Sequence, residues 1–464
     1  MTDKLQLNKE FITYALKEIL IEADVTNEVF EKIKIHSKDI KKNDLFIAMQ
    51  GSKENGSKYI NDAIKNGAKG IITSQNNKIN HNIAKFYVKD CNLALQKMAK
   101  NWRSQFKKLD VIGITGSVGK TTTKQITNKL LQSKFKTLSS EKNYNNEIGL
   151  PLTIFDIDHD TEIAILEMGM YKRGDIDLLS HISMPNIGIV TNIEPIHIER
   201  AGSEQNIFLA KQELIEALPS NGKAVLNIDD EQVTKMQKIF TGKIITFGIE
   251  QPANISAKNI KNHDLNGFSF ELLIDNQSAG KFRTFQAGIH LLPSFLGSIA
   301  IANNFEIKIK DMQEAIAEFI LEDRMQILKL ANDITVIDDS YNSGPSALKG
   351  ALNLLKNSKN YKVAILGDMN ELGQFSNQLH LEIGKVVNSD IDEVLCLGKQ
   401  SSIIFNNIAN NALIKSKHFM QINELNEYIA NQNYKNATIL IKGSRTLIME
   451  NTVQQIIQLN RIEN

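Results

Sequence analysis

Short apolar runs alternate with amphipathic stretches along almost the whole chain. In the first hundred residues DLFIAM (44–49) and KGIITS (69–74) read as strands. YINDAIKNGA (59–68) reads as the helix between them, and a further helix is predicted at about 92–106. A second block opens with DVIGITG (110–116). It carries apolar runs at 162–168, 187–193, 223–228 and 243–248, spaced by helical patterns, and 254–285 reads as antiparallel strands. A third block starts near Leu321 with strands ITVIDDS (334–340), KVAILGDM (362–369), EVLCLG (393–398) and ATILIKGS (437–444), and it closes on a helix at about 446–459. Strands of this length between helices predict an α/β protein with mostly parallel sheets covered on both faces. Ligands then belong near the strand C-termini. The expected domains are 1–100, 101–320 and 321–464.

The length of 464 residues agrees with about three domains at roughly 100–200 residues each. Hydrophobic residues at 42% and charged residues at 23% are ordinary for a globular protein. The formal net charge of +1 gives no global pull toward nucleic acid or an anionic membrane. No apolar run approaches the ~20 residues needed to span a bilayer, and MTDKLQLNKEFITYALKEIL lacks the core and cleavage site of a signal peptide. Only Cys91 and Cys396 are present, each in an apolar stretch. That excludes a disulfide framework and fits a reducing compartment. A cytoplasmic, monomeric protein with neither a nucleic-acid nor a membrane partner is expected.

The sharpest chemical signal is GITGSVGKTTTKQITNKLL (113–131), an apolar strand running through a glycine-bounded loop into a helix. Gly116 and Gly119 let backbone N–H groups turn inward around phosphate oxygens, and the helix N-terminus adds its partial positive charge. Lys120 is placed to reach the β/γ-phosphates and the Thr121 hydroxyl to bind Mg²⁺. Ile114 stands where the first glycine of the longer motif would be, so the compact form T-G-x-x-G-K-T is used. Switches, motors, kinases and ligases all use such a loop, so the loop alone does not name the reaction.

Glu167 ends the run EIAILEMG, and His197 follows IGIVTNIEPIH. Both fall at strand C-termini, the sheet edge that also carries the loop. A carboxylate and an imidazole there suggest a second Mg²⁺ or the positioning of an attacked group. Taken singly, His197 is as readily a structural histidine. Lys211, on the amphipathic helix NIFLAKQELIEAL, is as readily a solvated lysine.

Several further stretches, read with the loop, resemble the Mur ligases over essentially the whole chain. They are TGSVGKTTTK (115–124), NYNNEIGLPLT (143–153), LEMG (166–169), TNIEPIHIERAGS (191–203), AKQE (210–213), DDSYNSGP (338–345), ILGDMNELG (365–373) and KGSRTLIME (442–450). The last three are most similar to the member that adds D-alanyl-D-alanine. The D-N-P-R string of the relative that adds a diamino acid does not occur. The resemblance implies a UDP-binding N-terminal domain, a central ATP-binding phosphate-loop domain and a Rossmann-like C-terminal domain. It implies an ATP-dependent ligase of peptidoglycan synthesis, joining D-alanyl-D-alanine to UDP-N-acetylmuramoyl-tripeptide through an acyl phosphate.

Residue by residue, the resemblance assigns Thr115, Gly116, Ser117, Val118, Gly119, Lys120, Thr121 and Thr122 to ATP, with Thr121 also on the first Mg²⁺. Glu167 and His197 would serve a second Mg²⁺. Lys211 matches a lysine that carries a carbamate, whose negative charge would help hold that metal. Arg324 would reach the ATP phosphates, and Asp339 and Asn342 the nucleoside. Asn143, Asn145 and Asn146 would line the central cleft. Residues 36–57, with Ser37 and Lys38, would take the uridine nucleotide.

The chain also departs from the family pattern. His36, Ser37 and Lys38 stand for D-S-R, and lysine lacks the bidentate fork of arginine. Gly56 and Ser57 stand for Gly-His, and Met170, Tyr171 and Lys172 for A-N-H. In GIHLLPS (288–294) His290 remains, while Leu291 and Ser294 replace two asparagines, one of which commonly contacts the adenine. Other readings left open by the residues are another Mur ligase or a folylpolyglutamate-type synthase, a phosphate-loop regulatory protein without ligase activity, and a family member that has kept only UDP-sugar binding.

Overall fold

Isoleucine, valine and leucine write the inner strands. Gly70–Thr73, Ile163–Glu167, Ile187–Val190, Glu393–Leu397 and Ala437–Lys442 are buried at every position, the pattern of parallel strands covered on both faces. The computed structural model describes residues 6–25, 28–51, 54–74, 79, 81–141, 143–196, 198–387, 390–409 and 411–460. The chain divides into two compact units.

The first unit takes Met1–Gly113, Lys136–Gly169 and Gly174–Asn186. Its five-stranded sheet is ordered Leu20–Asp24, Ala84–Val88, Gly70–Thr73, Leu45–Ile47, Ile33–Lys34, with only the first pair antiparallel. The helix Cys91–Ser104 starts at Asp90, whose carboxylate accepts from the N–H groups of Asn92 and Leu93. Strand Ile163–Glu167 runs parallel to Thr137–Ser139 and delivers Glu167 at its C-terminal end.

The second unit takes Ile114–Phe135, Met170–Arg173 and Ile187–Asn464, so the strand Asp110–Thr115 passes from one unit into the other. Here Ile187–Val190, Lys223–Asn227 and Lys243–Gly248 pair in parallel. Ile255–Asn262 continues in parallel, and Phe268–Ile274 and Gln277–Thr284 close the series in antiparallel pairing. A six-stranded sheet follows, ordered Gln326–Lys329, Thr335–Asp338, Ala437–Lys442, Tyr361–Gly367, Glu393–Leu397, Lys415–Phe419. All its pairings are parallel except the first.

The α/β pattern and the late antiparallel strands are as the sequence led us to expect. Three strands without an apolar signature, Leu20–Asp24, Gln326–Lys329 and Lys415–Phe419, stand at sheet edges, where one side of the strand faces solvent and charge is tolerated. Cys91 and Cys396 are buried free thiols, and burial pushes their pKa up to about 11 and about 12. No helix among the described residues is long and apolar enough to cross a membrane.

One packing contact holds the phosphate-loop helix in place. Helix Leu292–Asn304 is apolar nearly all round and buried at ten positions. It lies on helix Lys120–Leu131, where the Ser298 hydroxyl donates to the Thr123 carbonyl (3.1 Å) and accepts from Thr127 (3.1 Å). Phe295, with no exposure, stands edge-on to Phe268 and Phe319 at 5.4 and 5.8 Å between centroids. Phe295→Ala is expected to cost about 3–5 kcal/mol of stability, from lost burial plus the cavity left behind, measured by urea unfolding.

Candidate active site

The loop between strand Asp110–Thr115 and helix Lys120–Leu131 is shaped by a polar segment packed against it. Gly116 adopts φ +147°, and a Cβ there would lie 1.8 Å from Thr191 Oγ1. Thr191 donates from its hydroxyl to the Val118 carbonyl (2.6 Å) and from its N–H to the Thr115 carbonyl (3.0 Å). Asn192 accepts from Ser117 N–H on its carbonyl (3.0 Å) and from Val118 N–H on its side chain (2.8 Å). Gly119, at φ +87°, begins the helix without a side-chain cap. The first turn of a helix presents N–H groups with no partner inside the helix, and their dipoles favour an anion. The Lys120 ammonium donates to the carbonyls of Gly116 (2.7 Å) and Ser117 (3.2 Å), so it already lies over the loop. Ser117 is bonded through its side chain. Its hydroxyl donates to the Glu194 carbonyl (3.0 Å) and accepts from Glu194 N–H (2.9 Å), so the side chain braces the loop.

In the same unit Lys211 is 1% exposed on helix Glu204–Glu216, which removes the solvated-lysine reading. Burial first, and the charge of Lys120 second, hold its amine well below the usual lysine range. The neutral amine is the form that reacts to give a carbamate.

A cavity of about 130 Å³ runs from Val118, Gly119 and Thr122 to Arg324, Asp339 and Lys442. The Lys442 ammonium, 1% exposed, meets Asp339 Oδ2 at 2.5 Å and donates to the Asn342 carbonyl at 2.9 Å. Burial lowers its pKa and Asp339 opposes the shift. Asp339 Oδ1 accepts from Met325 N–H (3.3 Å), and the Asn342 side chain accepts from Ser343 N–H. Arg324 lies over the Tyr341 ring at 5.0 Å, and Arg445 stacks on the same ring at 5.5 Å. Leu291 and Ser294 line the cavity where the family pattern has asparagines. Beside them in the lining, His290 has a buried Nδ1 with no hydrogen-bond partner among the described residues, and burial brings its pKa down to about 4.

In the first unit, Glu167 is 2% exposed. It accepts from the Asn145 amide at 2.8 Å, and its own N–H donates to Ser140 Oγ at 3.2 Å. The Asn146 side chain turns the chain ahead of helix Gly149–Ile154, accepting from Ile148 N–H (3.2 Å) and Gly149 N–H (2.8 Å). Asn143 is exposed, and its carbonyl accepts from Asn145 N–H. Ser37 is buried and Lys38 exposed on the 3-10 turn Ser37–Asp39. His197 lies outside the described residues.

Thr191, Asn192, Glu194, Ser140 and Lys442 carry contacts that the sequence reading assigned to no residue. The signal was present in two of these places: polar TNIE following the buried IGIV, and a lysine ending the buried ATILI.

Two outcomes follow. Gly116→Ala is expected to weaken ATP binding by about 10²-fold, the scale of a 1 Å misplacement, read by calorimetric titration. For Lys211, the folded chain binds the proton less readily than the unfolded chain, so stability rises with pH up to the ordinary lysine range. Lys211→Met removes that penalty. Its melting temperature in CO2-free buffer should exceed that of the unaltered chain at pH 7, with the difference shrinking toward pH 10.

Three family models match in succession: "Mur ligase family, catalytic domain" over residues 29–108, "Mur ligase middle domain" over 114–302 and "Mur ligase, glutamate ligase domain" over 323–445. The UDP-N-acetylmuramoyl-tripeptide–D-alanyl-D-alanine ligase of Buchnera aphidicola subsp. Baizongia pistaciae is 33% identical, over 89% of this chain and 89% of its own. MurF from Acinetobacter baumannii shares the fold, with TM-score 0.89 and 24% identity over 98% of this chain and 99% of its own. MurF ligase from Thermotoga maritima, solved in complex with ADP, superposes with TM-score 0.81 and 25% identity over 92% and 97% of the two chains. On these matches the chain belongs to the Mur ligase family.

Proposed function

We propose that this chain is an ATP-dependent ligase of peptidoglycan synthesis, joining D-alanyl-D-alanine to UDP-N-acetylmuramoyl-tripeptide to give the pentapeptide. The observation that carries the reading is the cavity shared by the phosphate loop and the third block, lined by Gly119 and Thr122 on one side and Arg324, Asp339 and Lys442 on the other. A regulatory nucleotide switch has no use for that second wall. The relative from Buchnera supports the choice of substrates.

A carboxylate is a poor electrophile, and joining it to an amine in water is uphill. The terminal carboxylate of the tripeptide attacks the γ-phosphorus of ATP, forming an acyl phosphate and releasing ADP. The amine of D-alanyl-D-alanine then attacks the acyl carbon, phosphate leaves with the bonding pair, and an amide remains. Two anions meet in the first step, so catalysis rests on charge neutralisation and positioning. Lys120 and Arg324 provide positive charge. The turn from Gly119 through Thr122 holds the triphosphate, with Thr115, Gly116, Ser117 and Val118 fixing its shape. Asp339 and Asn342 attend the nucleoside, Asn143, Asn145 and Asn146 the cleft, and Ser37 and Lys38 the uridine nucleotide.

The donor chemistry fits Mg²⁺. Oxygen ligands suit it, and Thr121, the buried Glu167 and a carbamate formed on Lys211, whose protonated form is disfavoured, would provide them. Two ions are assigned, with His197 serving the second, although imidazole alone is a poor Mg²⁺ ligand. When bound, they neutralise phosphate charge. The work divides among a UDP-binding domain at 1–100, an ATP-binding domain at 101–320 and a Rossmann-like domain at 321–464, and the chain acts as a monomer in the cytoplasm.

With UDP-N-acetylmuramoyl-tripeptide, ATP and Mg²⁺, phosphate release is expected to depend on D-alanyl-D-alanine. Lys120→Ala should lower it by about 10²–10³-fold. Release that proceeds equally well without the dipeptide, or that requires a single amino acid instead, rules the assignment out.

A further inference from the structure

The segment Thr191–Glu194 leaves strand Ile187–Val190 and clamps the phosphate loop through Thr191 and Asn192, as described. Asp230 pins the segment from behind, accepting from Ile193 N–H at 2.7 Å while capping its own helix Glu231–Lys235. The clamp is therefore held at both ends.

Glu194 then faces two ways. Its backbone N–H and carbonyl are both bonded to the Ser117 hydroxyl of the loop, at 2.9 and 3.0 Å. Its carboxylate, Oε2, accepts from the Ser346 hydroxyl at 2.7 Å. Ser346 is the second residue of helix Pro345–Lys356, and the residues leading into that helix carry Asp339, Tyr341 and Asn342. Ile196, two residues on, packs beside Gly344, where a Cβ would stand 3.0 Å from Ile196 Cδ1. Burial raises the Glu194 pKa and Asp230 adds to the shift, while the Ser346 hydroxyl and Lys349 oppose it. The hydroxyl thus meets a carboxyl group that is half-buried. One residue is joined to the phosphate loop by its main chain and to the nucleoside side of the cavity by its side chain.

We infer that Glu194 is a positioning residue that seats the 338–346 segment against the nucleotide, so that the phosphate loop and the third block grip it together. The inference rests on the cavity being the nucleotide site of the proposed ligase. In Glu194→Gln the side-chain carbonyl would still accept from Ser346, whereas the methyl of Glu194→Ala would not. A hydrogen bond to a carboxyl group is worth about tenfold in affinity when lost.

Titration with ADP reads the coupling without any turnover, and the ligase assay on the unaltered chain reads the functional assignment separately. Glu194→Ala and Ser346→Ala are each expected to raise the ADP dissociation constant and the KM for ATP by about tenfold, with the KM for the UDP-linked peptide unchanged. Glu194→Gln should stay within about threefold of the unaltered chain. The double alanine variant should be no worse than either single one, because the two side chains act as one contact. Additive losses, failure of the glutamine variant to rescue, or an equal rise in KM for both substrates accompanied by a lower melting temperature would overturn the inference and leave Glu194 a stability residue. If ADP binding responds as expected but the unaltered chain shows no dipeptide-dependent phosphate release, the ligase assignment fails and the coupling stands.

Discussion

The site depends on how closely Thr191 approaches the backbone of Gly116. The missing Cβ lets the threonine hydroxyl sit where a side chain would otherwise be, 1.8 Å from the position of that absent carbon. From there it bonds the Val118 carbonyl, while Asn192 takes the N–H groups of Ser117 and Val118. These contacts fix the loop on the side away from the helix. The helix is fixed on its other face by Ser298 and the buried Leu292–Asn304. Held on both sides, the first turn from Gly119 has little freedom to reorganise when phosphate arrives, which is how a fixed set of dipoles becomes effective in catalysis.

Charge is arranged around that loop at a cost in stability. Lys211 is buried near the charge of Lys120, and both disfavour its protonated form, so that placement alone gains nothing for stability. Lys442 and Asp339 form a buried pair, which is weak grounds for stability, because desolvation of two ions offsets most of their attraction. Arg324 and Arg445 share the Tyr341 ring, and Arg445 is also paired with Glu450. Arg324 and Lys442 line the cavity itself, where their charge suits an incoming anion such as a triphosphate.

Much of this was legible in the sequence where local chemistry is self-sufficient. The strand, glycines, lysine and helix of 113–131 constrain one another within nineteen residues, and the buried strands announce themselves by mostly apolar runs rich in Ile, Val and Leu. Edge strands such as Lys415–Phe419 did not, because half of each strand answers to solvent. The clamp of Thr191, Asn192 and Glu194 was hidden for another reason. Its partners lie more than seventy residues away, and a polar stretch after a strand is otherwise only a loop. Lys211 shows the converse: helical periodicity placed it on an amphipathic helix, and only packing decided that it is buried. The role of Ser117 as a brace likewise comes from a distant neighbour, Glu194.

The central claim is that the loop at 115–122 directs the terminal phosphoryl group of ATP onto a peptide carboxylate. Isotope transfer reads this directly. When the terminal carboxylate of UDP-N-acetylmuramoyl-tripeptide is labelled with ¹⁸O, an acyl phosphate requires one labelled oxygen to leave in each phosphate released, detected by mass spectrometry of the phosphate. Phosphate carrying no label beyond background, with pentapeptide nonetheless formed, would contradict the account.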